Sequence, residues 1–181
     1  MFSLKIIIFF IVFCLIEFNE AGVIRRRSLF SDDIQKEFEQ QIQLETETFL
    51  NNIFKNQINY FNKVKLSLPT NSKRVKDIET YVYQLETAIE EKNVEKKDEI
   101  YLDTFQSMGR TPLLLNKESD TGLSDEEYQT ILMDNDFNDF MKNFLVEIGV
   151  YFWKMAKASG KAVETSIDDY LENIKKRNNL Y

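Results

Sequence analysis

Histidine is absent from this chain of 181 residues, and cysteine occurs once, at Cys14. Without imidazole there is no Ser-His-Asp triad, no histidine general base and no histidine metal ligand. A lone cysteine cannot close a disulfide within one chain. It also sits in a leader-like segment, so no thiol nucleophile or zinc–thiolate site is expected beyond it. Glycine (5) and proline (2) are scarce as well. They assemble neither GxGxxG nor a phosphate loop: Ser159-Gly160-Lys161-Ala162 lacks the earlier glycine and the final Ser/Thr. Carboxylates, Ser-Lys and Tyr are the catalytic groups left, and no spacing singles out a pair. The chain is therefore read as a non-enzyme with no cofactor. Basic charge is short too: 23 Lys and Arg stand against 30 Asp and Glu, a net charge of −7. That balance excludes nucleic acid as the main partner, because phosphates need a basic face.

What is present begins with grease. Lys5, then Ile6–Ile16 ("IIIFFIVFCLI"), then a polar stretch ending in Ala21-Gly22 has the three-part layout of a secretory leader. Eleven apolar residues fall short of the ~20 that a spanning helix needs, and no second such run follows. A signal peptide over 1–22, secretion and no stable membrane span are the expectations. Arg25-Arg26-Arg27 comes next, in a short basic arm over 23–30. This triplet is a candidate processing site for a dibasic-type protease. Read otherwise, it is an uncleaved arm that touches anionic groups weakly. No Asn begins an N-x-Ser/Thr sequon.

From Ser31 the pattern turns helical. Ile34, Phe38, Ile42, Phe49, Ile53, Tyr60 and Val64 recur at helical steps with no breaker before Pro69. One helix of ~35 residues, or two joined near Asn51-Asn52, is expected. "PTNS" over 69–72 is a turn with a cap for the next helix. Val75, Ile78, Val82, Leu85 and Ile89 then step 3, 4, 3, 4. The heptad is too short for a free coiled coil and reads as a bundle helix; were that face exposed, it would make a dimer. Residues 90–99 are nearly all charged and read as solvated. Gly109 and Pro112 mark a helix stop, and residues 110–122 read as the longest loop. Within it, Leu113, Leu114 and Leu115 either plug the end of a bundle or form a docking segment. Ser124 with Glu127 spells a capping box. The greasiest stretch, Phe137 to Met155, reads as the helix at the bundle centre. "KASGKA" over 157–162 reads as a turn before a last amphipathic stripe that frays over 178–181. The whole is an all-α bundle of about four to six helices, one or two of them long, folded as one domain over 31–177 without disulfides.

One acidic cluster resembles the start of an EF-hand loop. Asp134, Asp136 and Asn138 supply oxygen ligands at alternate positions. Asp139 stands where the loop glycine belongs, however, and Leu145 where the bidentate Glu belongs. The stretch is read as a polar helix–helix junction, with those three residues as weak calcium candidates. The function expected is binding of a secreted or cell-surface protein through the helical surface. The alternatives are a carrier holding lipid or another apolar ligand in the bundle core, and a precursor activated by cleavage after the Arg25–Arg27 triplet.

Overall fold

The computed structural model describes residues 32–110 and 112–178. Among them are six helices and no strand: α1 (Asp32–Leu66), α2 (Lys73–Glu90), α3 (Val94–Arg110), α4 (Glu118–Thr121), α5 (Asp125–Asp134) and α6 (Phe137–Asn178). This is the all-α bundle that the periodicity predicts. Residues 1–22, expected as a leader, the basic stretch with Arg25, Arg26 and Arg27, and residues 179–181 lie outside the described residues.

Helix α1 runs unbroken for 35 residues, ~52 Å at 1.5 Å per residue. The Asn51-Asn52 pair does not divide it, because both side chains are occupied across the bundle. Asn51 Oδ1 accepts a hydrogen bond from Lys97 Nζ at 2.9 Å. Asn52 Nδ2 donates to Glu147 at 3.0 Å. Pro69 then stops the chain, and the last turn tightens through Ser67 N–H to Val64 O. Ser72 caps α2 by accepting from the Val75 N–H at 3.4 Å. Glu91 ends α2, and its carboxylate takes the N–H groups of Lys92 and Asn93. These bonds, that of Asn93 foremost, hold the Glu91 carboxyl below the usual range. The capping box forms as expected: Ser124 Oγ accepts from Glu127 N–H while Glu127 accepts from Ser124 N–H.

Cross-helix bonds fix the arrangement. Asn56 meets Phe140, Asn52 meets Glu147, Thr46 meets Tyr151, and Glu45 meets Lys154. The two numbers rise and fall in opposition, so α1 and α6 lie antiparallel along most of their length. Tyr81 on Gln57 and Glu79 on Lys65 set α2 antiparallel to α1. Lys97 on Glu47 with Tyr101 on Gln57 sets α3 parallel to it.

The two long helices thereby belong to two regions. In the head, residues 49–66 of α1 are covered by α2, α3, α5 and the start of α6. The buried core lies here: Phe49, Ile53, Phe54, Phe61, Val64, Ile78, Leu85 and Tyr128 among others. Rings fill it, with Tyr60 stacked on Phe140 at 4.3 Å and Phe49 on Tyr151 at 4.4 Å between centroids. In the arm, residues 34–46 of α1 meet α6 through Glu37, Glu45 and Thr46 and bury no side chain fully.

Several expectations are corrected. Helix α6 continues through "KASGKA" for 42 residues, so there is no turn there. The Ser159 hydroxyl folds back onto Met155 O, and Lys161 reaches Glu37 on α1 at 3.8 Å. Tertiary pairing thus outweighs the ~1 kcal/mol that Gly160 costs a helix interior. Gly109 is not a cap residue, since α3 extends to Arg110. The loop over 110–122 contains α4, closed by Gly122 at φ 70°. The central helix is α1, not the greasier α6, because α1 alone is flanked by α2, α3 and α6. Finally, Val75, Ile78, Val82 and Leu85 are all buried, so the heptad face packs inward and offers no dimer seam.

Candidate functional site

Helix α6 carries apolar residues on two opposite faces. One face, Phe140, Phe144, Ile148, Tyr151 and Met155, packs into the core. On the far side Leu145, Val146, Val150 and Trp153 are 53, 52, 42 and 63% exposed. Soluble chains rarely leave so many large apolar groups contiguous on one helix without a use for them. Lys142, Val146, Val150, Trp153 and Lys157 step 4, 4, 3, 4, which places them on one stripe ~22 Å long. Neither Lys142 nor Lys157 has a carboxylate partner among the described residues; the Lys157 ammonium instead lies 5.3 Å from the Trp153 ring centroid. Gly149 sits within this stripe, and a Cβ there would meet nothing within 4 Å.

Beside the stripe, between α6 and α1 of the arm, runs an open slot of about 340 Å³. Ile34, Phe38, Ala158 and the edge of Trp153 give it an apolar lining. Its α1 rim carries Glu37 and Glu45, and its α6 rim Lys154, Lys157 and Lys161. Lys154 bonds Glu45 at 2.6 Å.

The sequence candidates fare unevenly. Leu113 is 2% exposed and plugs the end of the head; Leu114 is half-buried, and Leu115 stands out at 44%. Arg74, 1% exposed, pins this segment by donating to Pro112 O at 2.9 Å and Leu115 O at 3.1 Å. It also lies 5.4 Å from the centre of the Tyr128 ring, whose hydroxyl donates to Leu113 O. Asp120 stands 4.0 Å from Arg74 and 3.5 Å from Lys73. Burial pushes the Asp120 carboxyl upward, but Lys117 and Lys73 with the Ser119 hydroxyl outweigh it and hold it below its ordinary value. The triple-leucine segment is thus tied down, with Leu115 alone offering surface.

Asp134, Asp136 and Asn138 are exposed at the α5–α6 junction. Asp136 adopts φ 65°, the left-handed turn that reverses the chain, and its carboxylate bonds Lys63 at 2.9 Å. No group of three or more acidic side chains that could hold a metal occurs among the described residues. The charged run over 90–99 hides one exception to the solvated reading. Lys97 is wholly buried, with its ammonium on Glu47 at 3.1 Å and Asn51 at 2.9 Å.

Sequence reading missed the outward stripe. Val146, Val150 and Trp153 are ordinary members of an apolar run until the buried face is known. Lys142 and Lys157, at helical spacing on either side of the valines and Trp153, are the signal that could have marked it. No helix among the described residues is long and apolar enough to cross a membrane. Comparison with protein-family models, curated proteins and solved structures finds no match for the chain.

Proposed function

We propose that this is a secreted, non-enzymatic helical protein that binds a protein partner through the outward face of α6. The observation that carries the reading is the exposed Val146–Val150–Trp153 stripe bracketed by Lys142 and Lys157, neither of which has a carboxylate partner among the described residues. Such a face suits an amphipathic helix with apolar anchors along one side and carboxylates towards both ends. An exposed Trp over a flat apolar stripe is also the kind of anchor that dominates interface energies. Charge disfavours a second copy as the occupant. Antiparallel pairing about Val150 would set Lys142 against Lys157, and parallel pairing would set each lysine against itself. Secretion rests on the leader-like residues 1–22. The processing reading is compatible with this one, since α1 begins at Asp32 and a cut after Arg27 removes no described residue.

A photo-crosslinker placed at Val150 of the secreted chain tests the reading, with Glu79 in the head as the control position. The expected result is one adduct at Val150, whose crosslinked peptide is an acidic amphipathic helix, lost in the Lys142→Glu/Lys157→Glu double variant. Adducts at both positions, a self-adduct, or indifference to charge reversal would each sink the proposal.

A further inference from the structure

The slot in the arm joins two kinds of surface. Its lining of Ile34, Phe38, Ala158 and Trp153 is apolar, while its rims are charged. The two acidic groups are already engaged: Glu45 by Lys154, Glu37 by Lys161. Lys157 lies between those lysines, three residues after one and four before the other. It has no carboxylate partner among the described residues and rests against Trp153. One uncompensated cation therefore overlooks an apolar trough.

We infer that the slot binds a single-chain amphipathic anion, a free alkyl carboxylate, with its chain along Phe38 and Trp153 and its head on Lys157. A cationic head would meet Lys154, Lys157 and Lys161 together. A volume of about 340 Å³ lies at the small end of ligand sites, ~300–1,000 Å³, and suits one chain rather than the paired chains of a membrane lipid. This site is distinct from the carrier expected at the sequence level, because the head core is filled with stacked rings. It shares Trp153 and Lys157 with the docking stripe, but Val146 and Val150 are not part of the slot, so substitutions at those valines separate the two uses.

Trp153 is the single tryptophan of the chain, so its emission reports on the slot directly. Titrating the full chain with monomeric dodecanoate is expected to move the emission to shorter wavelength and to saturate at one equivalent. Dodecylammonium of the same chain length should bind at least about tenfold more weakly. Lys157→Gln, at an exposed position, should weaken dodecanoate about fivefold, the worth of one solvent-facing charge contact. Val146→Asp should leave the affinity unchanged, whereas Phe38→Ala should abolish saturation with its helicity intact by circular dichroism. If Phe38→Ala unfolds the arm, Lys157→Gln alone carries the test. Equal affinity for the ammonium, no loss in Lys157→Gln, or an emission shift with phosphatidylserine vesicles but not with monomeric dodecanoate would each overturn the assignment.

Discussion

The head and the arm share the two longest helices and differ in how those helices are covered. In the head, α1 is enclosed by α2, α3, α5 and α6, and its apolar face reaches 0% exposure at Phe54 and Val64. In the arm, over residues 34–46, the same helix pairs with α6, and Ile34, Phe38 and Ile42 stop half-buried while Leu44 stands out at 58%. Stability grows with apolar area removed from water, so it concentrates in the head. The exposed apolar and cationic groups concentrate along α6, reaching from the head into the arm. The head supplies the enclosed core, and the exposed stripe runs from it into the arm. The sharpest way to break this comparison is a pair of equal truncations. Phe54→Ala should cost about 3–5 kcal/mol, as for a phenylalanine fully enclosed in a packed core. Phe38→Ala should cost under ~1.5 kcal/mol, because that side chain stays partly in water instead of being enclosed. Urea unfolding measures both, and similar losses would mean that the arm is as integral to the fold as the head.

The same contrast holds for charge pairs. Lys97 is wholly buried against Glu47 and Asn51, while Lys161 and Glu37 leave most of their side chains in solvent. Removing a buried cation also strands its partners, although Glu47 keeps part of its solvent contact. Lys97→Ala should therefore cost about 2–3 kcal/mol. Lys161→Ala should stay within ~0.5 kcal/mol, as exposed pairs do. A loss at Lys161 as large as that at Lys97 would show that the arm is held by its salt bridges rather than by Phe38 and its apolar neighbours.

What the sequence made legible follows from this division. Caps at Ser72 and Ser124 and the stop at Pro69 are local chemistry, so they could be read without the fold. The face Val75–Leu85 could also be read, because its apolar stripe is narrow enough to have one inward side. On α6 the apolar residues cover more than half the circumference. Periodicity then cannot say which of Tyr151 and Trp153 turns inward, and the choice is made by the α1 surface that α6 meets. Lys97 was hidden for the opposite reason. Its neighbours Glu95, Lys96 and Glu99 are exposed, and only the position of α3 against Glu47 and Asn51 draws it inside. The continuity of α6 past Gly160 is likewise tertiary, secured by a helix more than a hundred residues away in sequence.

The two exposed glycines of α6 sharpen the comparison at about 1 kcal/mol. Gly149 and Gly160 meet nothing that an added Cβ would strike. Alanine at either should raise stability by up to ~1 kcal/mol, the ordinary helix-propensity difference. Their effects on partner binding should part company. Gly149 lies within the Val146–Trp153 stripe, where a missing side chain lets a partner helix approach closely; Gly149→Ala should stabilise the free protein yet weaken the complex. Gly160→Ala should stabilise without touching binding. Thermal unfolding beside affinity for the crosslinked partner separates the two, and unchanged binding in Gly149→Ala would remove that glycine from the interface.

The smallest expected effect is that of pH between about 6 and 9, and its absence is itself informative. No histidine exists to titrate in this window, and ordinary carboxylates and tyrosines lie on either side of it. The groups whose ionisation the fold displaces sit in the head. Burial raises the phenols of Tyr60, Tyr81, Tyr101 and Tyr128 above their usual value. A raised phenol binds its proton more tightly folded than unfolded, so its contribution is complete below pH ~10 and is lost as pH climbs past that point. Asp120 and Glu127 run the other way. Their carboxyls lie below the ordinary range, Glu127 chiefly through the Ser124 N–H, so their contribution is present above pH ~4.5 and fades as acid protonates them. Melting temperature against pH should therefore be a plateau with an alkaline fall set by the head's tyrosines and an acid fall. Trp153 emission and tyrosine absorbance can be followed in one titration. The phenols of Tyr60, Tyr81, Tyr101 and Tyr128 should ionise only as the core opens, above pH ~10, and any transition between pH ~6 and ~9 would contradict this placement of the titrating groups.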